Sequence, residues 1–111
     1  MGKRDYLGSF ELMVLMALIR LGDDAYGVPI AREIETHLDR EVALGSVYAT
    51  LARLEERGLV KSIVGDPTPE RGGRAKRYFR ITAKGIREAR GTQQVLVKLW
   101  KGIPELKGEL S

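Results

Sequence analysis

The chain reads as a mainly α-helical domain carrying one small β-hairpin, and three observations predict it. Apolar residues recur at three- and four-residue steps in four segments, near 9–21, 28–39, 44–60 and 83–104. Only two short runs, 59–65 and 76–82, are rich in β-branched or aromatic residues. Between them lies DPTPERGGRA, whose two prolines and Gly-Gly pair read as an exposed loop joining two strands.

The first helix, about 9–21, is SFELMVLMALIRL, with Ser9 as a reasonable N-cap. It is apolar nearly all round, so it must be covered on most sides. A chain of 111 residues forms one modest core, and part of this helix is therefore expected to face a second subunit. Gly22-Asp23-Asp24 breaks it. The second helix, about 28–39, carries Pro29 in its first turn and a core stripe of Ile30, Ile34 and Leu38. Tyr26 anchors the turn before it. After a brief extended piece at 40–44 comes the third helix, about 44–60. Val47, Leu51 and Leu54 form its apolar face, and Gly45 and Ser46 suit a cap. Gly58 fits the left-handed position after the last turn, with Leu59 packing back on Leu54 in a Schellman motif. Its outer face carries Ser46, Ala49, Thr50 and Arg53, small or hydrogen-bonding residues that suit entry into a groove about as wide as a helix.

In the second strand Tyr78 and Phe79 alternate, so one enters the core and the other sits near the surface. Thr82 then caps a fourth helix, with Ile81 and Ile86 as a hydrophobic staple. Ile86, Ala89, Gln93, Leu96, Trp100 and Ile103 step along it as a heptad-like seam suited to another helix. Gly102 and Pro104 end it, and 105–111 reads as a frayed tail. Helix, helix, turn and helix followed by a strand–loop–strand finger is the winged helix-turn-helix arrangement. The division that follows is a DNA-binding domain over 1–82, a C-terminal dimerisation helix over 83–104, and the tail.

Charge points to the partner. The net charge is +4, yet residues 71–90 hold eight Lys and Arg against Glu88, giving 8 − 1 = +7 in that block and −3 elsewhere. A basic block on a near-neutral body is the footprint of a polyanion binder. A merely solvated charge run fits less well, because Tyr78, Phe79 and Ile81 interrupt it as a strand would. No cysteine is present, which excludes disulfides and thiolate metal sites. No apolar run reaches the length of a membrane span and no cleavage site follows the basic start, so a cytoplasmic protein with no membrane partner is expected. The sole histidine, His37, lies on a polar helix face without an HExxH pattern, and Gly72-Gly73-Arg74 lacks the phosphate-loop spacing. No catalytic set, metal site or cofactor is therefore expected.

AYGVPIAREI, then GSVYATLARLEERGLV, then GGRAKRYFRITAKG, after an apolar first helix, resembles the PadR family of bacterial transcriptional regulators over roughly residues 7–90. Its most specific parts are the Gly45, Tyr48, Leu51, Leu54 spacing ending in Glu55, Gly58 and Leu59, and the block Gly73, Arg74, Tyr78, Thr82 and Gly85. The resemblance implies a homodimeric winged-helix repressor on a pseudo-palindromic operator. It also implies dimerisation through the last helix with help from the first, here Leu12, Leu15, Met16, Ile19, Leu96, Trp100 and Ile103.

With the third helix in the major groove, Ser46, Ala49, Thr50 and Arg53 face base edges or nearby phosphates, and Arg53 is the long donor suited to guanine. Tyr48 could reach a phosphate or serve as a core tyrosine with its tip exposed. Arg74, Lys76 and Arg77 would grip phosphates or the minor groove. Met16 and Trp100 could line a cavity for a small-molecule effector between subunits, or simply pack. Two other functions compete: a winged-helix module that binds proteins through its apolar helices, and an architectural DNA binder without sequence preference.

Overall fold

Apolar periodicity becomes packing in the computed structural model, which describes residues 6–65 and 76–107. The elements are α1 (Ser9–Leu21), α2 (Gly27–Leu38), α3 (Leu44–Glu56), β1 (Val60–Val64), β2 (Arg77–Ile81) and α4 (Ala83–Trp100), with short 3₁₀ turns at Gly22–Asp24 and Pro104–Leu106. α1 lies at the centre and packs on α2, α3, α4 and β2, which is why it is apolar nearly all round. Val14, Leu15 and Leu18 of α1 meet Ile30 and Ile34 of α2, Val47, Leu51 and Leu54 of α3, and Leu59, Val60 and Phe79 beyond. Each such side chain contributes roughly 1.5–3 kcal/mol on burial. Leu15 and Leu12, expected at a subunit seam, are instead buried in the chain's own core. One domain supplies enough neighbours to cover them. Met16 and Ile19, on the far side of α1, stay exposed.

The helix ends show which local chemistry prevails. α1 is capped at Gly8 and not at Ser9: Glu11 reaches back to accept the Gly8 N–H at 2.9 Å. α2 ends on Asp39 in the left-handed region (φ 61°), a conformation Asp tolerates. The Glu35 carboxylate then accepts the Val42 N–H at 2.8 Å, fixing the turn between α2 and α3. α3 begins after Ala43 with no side-chain cap, so Gly45 and Ser46 lie inside it and not at its cap. Its other end is the Schellman motif that its residues predict. Gly58 has φ 77°, the Leu59 N–H donates to the Leu54 carbonyl at 2.9 Å, and the Gly58 N–H to that of Glu55 at 3.0 Å.

β1 and β2 pair antiparallel from Val60 opposite Ile81 to Val64 opposite Arg77. The Gly65 N–H adds a rung to the Lys76 carbonyl at 2.8 Å. Phe79 is the inward member of the Tyr78–Phe79 pair, and its N–H also bonds the Ala25 carbonyl at 2.8 Å, knitting β2 to the entry of α2. Tyr78 packs edge-on to Tyr26, ring centroids 5.5 Å apart.

Thr82 caps α4 as predicted, accepting the Gly85 N–H at 3.0 Å. The same hydroxyl donates to the Gly58 carbonyl at 2.7 Å, and the Thr82 N–H donates to Leu59. The row of α4 that meets the body is Gly85, Ala89 and Thr92. It shares Ala89 with the heptad-like seam but takes Gly85 and Thr92 in place of Ile86 and Gln93, because close approach selects small side chains and apolar ranking overlooks them. Thr92 also accepts the Leu7 N–H at 3.3 Å, tying down the segment before α1. The outer half of α4 leaves the body: Leu96, Leu99 and Trp100 are exposed, and Ile103 lies past the helix end. A 3₁₀ turn occupies 104–106, where the frayed tail was expected to begin, and residues 108–111 fall outside the described residues.

Gly85 marks the tightest backbone joint among the described residues. A Cβ there would stand 2.7 Å from Ile81 Cγ1 and closer still to the Leu59 backbone carbonyl, which cannot swing away. Gly85→Ala is therefore expected to destabilise the fold by about 2 kcal/mol despite alanine's better helix propensity, measured as a lowered midpoint in urea titration.

Candidate nucleic-acid interface

The outward face of α3 follows from which residues it buries. Val47, Thr50, Leu51 and Leu54 point inward, so at 100° per residue the centre of the exposed face falls on Gly45, Ala49, Ala52 and Glu56. Of the residues predicted to meet DNA, Ala49 lies in this row, and Ser46 and Arg53 lie on one flank, all three exposed. Thr50 does not belong with them. It is 2% exposed, because it sits between Val47 and Leu54 on the buried side, and its hydroxyl accepts from Arg53 Nη2 at 3.1 Å. Gly45 and Ala52 were missed. The direction opposite the Val47, Leu51, Leu54 stripe was already in the sequence; ranking by hydrogen-bonding capacity chose Thr50 over two small residues. From Gly45 to Ala52 the row therefore presents almost no side chain, as close approach to a grooved surface requires, and the exposed Glu56 closes it at the C-terminal end.

The two flanks of α3 are held differently. On the hairpin flank, the Ser62 hydroxyl donates to Glu55 Oε2 at 2.8 Å and accepts from Arg77 Nη2 at 3.0 Å. Arg77 is also 3.5 Å from Glu55 Oε1 and lies over the Phe79 ring, 5.8 Å from its centroid. This network sets the angle of the hairpin against α3. Lys76 places its ammonium 4.2 Å from the centroid of the Tyr26 ring, a cation–π contact. Arg80, on the same strand, is paired with Asp23 and turned away from this cluster. Arg74 lies outside the described residues.

Tyr48 belongs to the hairpin flank. Its ring meets Phe79 at 6.5 Å, and its hydroxyl lies against Gly27, where any Cβ would overlap it. The side chain is 43% exposed. The position is a seated tyrosine with one edge open, and glycine at 27 makes the seat.

On the opposite flank, Arg53 is 57% exposed and stands 4.0 Å from Glu11 Oε2 of α1, with Arg57 Nη1 3.6 Å from Glu11 Oε1. Arg53 thus reaches the surface on the α1 side and Arg77 on the hairpin side, while Lys76 lies over Tyr26 at the start of β2. The bare row of α3 runs between the two arginines, and cations border a small-residue floor on both sides.

Away from this face, two apolar grooves flank α1. One, of about 490 Å³, is lined by Met13, Met16, Ile19, Ile34 and Leu38 under the Arg20–Glu33 ion pair. The other, of about 390 Å³, lies between α1 and α4 and includes Leu12, Met16 and Leu96. Met16 borders both, whereas Trp100 lines neither. Among the described residues, no helix is long and apolar enough to cross a membrane.

Comparison with known proteins agrees with this arrangement. Residues 14–91 match the model of the transcriptional regulator PadR-like family. An uncharacterised protein of Lysinibacillus sphaericus is 30% identical over 95 residues, covering 84% of this chain and 80% of that one. A transcriptional regulator from Clostridium thermocellum superposes with a TM-score of 0.70 at 28% identity, covering 87% of this chain and 91% of its own. A PadR family regulator from Eggerthella lenta superposes with a TM-score of 0.72 at 25% identity, covering 91% and 83%.

The Tyr48 seat can be tested directly. Gly27→Ala is expected to push the Tyr48 ring outward while the fold persists, since the clash is with the end of a flexible side chain. Heteronuclear NMR should show shifts concentrated at Tyr48 and Phe79.

Proposed function

Because the chain belongs to the PadR-like family of transcriptional regulators, we propose that it is a repressor that binds, as a homodimer, a pseudo-palindromic operator in double-stranded DNA. The observation that carries this reading is the near-bare row of α3, Gly45, Ala49 and Ala52, bordered by Arg53 on one side and by Arg77 on the other. A helix enters the major groove only where its outer side chains leave room, and cations at its borders then meet the phosphate walls. Ser46 and Ala49 face the base edges with Arg53, and Tyr48 offers its open edge to the backbone. Lys76 and Arg77, together with Arg74, contribute affinity more than choice of sequence.

The dimer is supported by unfinished apolar surface. Met16 and Ile19 of α1 and Leu96, Leu99 and Trp100 of α4 are exposed on one chain, more than a solitary domain keeps without a partner. Pairing two copies there sets two α3 helices at a fixed distance, and a two-fold axis in the protein calls for a two-fold axis in the site. A dimer seated across a promoter excludes polymerase, which is repression.

Selection from random duplexes should return a two-fold symmetric sequence, and a reporter driven by that sequence should fall silent when the protein is present. A random pool with no enriched site would instead describe an architectural binder. Arg77→Ala should weaken binding to all duplexes alike and lower the slope of log affinity against log salt by about 1. Leu96→Glu should yield monomers in sedimentation velocity and weaken operator binding about a hundredfold, because each half-site then binds without the other.

A further inference from the structure

Glu11 is an acidic residue set against the face proposed to meet DNA. Its carboxylate is not a loosely solvated surface group. Oε1 accepts the Gly8 N–H at 2.9 Å, which ties it to the first turn of α1, and the side chain is 19% exposed. From that fixed position it faces Arg53 Nε at 4.0 Å and Arg57 Nη1 at 3.6 Å. Arg53 has a second hold, from its Nη2 to the hydroxyl of the buried Thr50 at 3.1 Å.

A guanidinium has five N–H donors in a planar fork. Glu11 faces the Nε side as an ion-pair partner at 4.0 Å, and Thr50 accepts one hydrogen of Nη2. The two Nη1 hydrogens and the second Nη2 hydrogen are left by these two holds. That terminal edge is the one that pairs with O6 and N7 of guanine. A free arginine must be ordered before it can make such a contact, and it can equally well sweep onto any nearby phosphate. An arginine held at two points has lost part of that freedom already. The carboxylate also lowers the local positive potential, which weakens unselective attraction to phosphates.

Resting on the DNA-binding reading above, we propose that Glu11 is a specificity-determining positioning residue: with Thr50 it holds Arg53 so that the guanidinium reads a base instead of grasping the backbone. An element of the hydrophobic core thus sets sequence choice without touching DNA.

The test uses the full chain, the duplex it selects from a random pool, and a scrambled duplex of equal length. The readout is the ratio of the two affinities at fixed salt. Glu11→Gln keeps an acceptor for Gly8 N–H and nearly the same shape while removing the charge. It should lower the ratio about two- to tenfold, through unchanged or tighter binding of the scrambled duplex, with an unchanged thermal midpoint. Thr50→Val, which removes the other hold, should lower the ratio in the same sense. In an Arg53→Ala background, Glu11→Gln should no longer change it. A ratio that stays constant in Glu11→Gln while Arg53→Ala lowers it overturns the role of Glu11 and leaves base reading by Arg53 standing. A ratio lowered by Glu11→Gln to the same extent with and without Arg53 also overturns it. Equal affinities of the unaltered chain for both duplexes would sink the operator reading itself.

Discussion

The corner at Thr82 is the constraint on which the arrangement depends. One hydroxyl accepts from the first turn of α4 and donates to the carbonyl of Gly58, just past the last turn of α3. The Thr82 N–H bonds Leu59, Lys84 Nζ bonds the Arg57 carbonyl at 3.1 Å, and Gly85 lets the α4 backbone lie against Leu59. The carbonyls that a helix leaves unsatisfied at its C-terminus are thereby used to hold the next element. With α3 stopped at Gly58 and the chain re-entering at Thr82, β1 leaves from this corner and β2 returns to it.

Where the hairpin points is settled by a second device, the half-exposed Glu55. Surface ion pairs contribute little by themselves, but here the carboxylate, Ser62 and Arg77 form a closed set across three elements. Each cation on the candidate face that the structure describes is held by a neighbour on the protein: Arg77 by Glu55, Arg53 by Glu11, Lys76 by the Tyr26 ring. The positive surface is thus arranged in advance, and the entropy of ordering long side chains is partly spent during folding.

Much of this was legible in the sequence. The Schellman end of α3, the Thr82 cap, the strand pair and the alternation of Tyr78 and Phe79 are governed by local rules, readable one residue at a time, although which of the two aromatics turns inward came only from the packing. Errors arose where a small residue did the work. Gly85 and Thr92 form the joint of α4, Gly45 and Ala52 the centre of the exposed face, and Gly27 the seat of Tyr48; none carries a signal in apolar ranking, because what matters is the atom that is missing. Thr50 failed for the opposite reason: its hydroxyl suggested a surface role, and only the position of Arg53 shows that burial leaves it satisfied. Leu12 and Leu15 could not be assigned to the core from periodicity alone, since a helix apolar on all sides does not say which side belongs to which neighbour.

The half-docked α4 has a mechanical meaning. Gly85, Ala89 and Thr92 bolt its first three turns to the body, and the eight residues beyond Thr92 project as a free arm of about 12 Å at the usual rise. A tilt of about 5° at Thr92 carries the tip through only about 1 Å. A short, stiff arm of this kind hands whatever grips its tip almost directly to the joint at Thr92, with little play between the two.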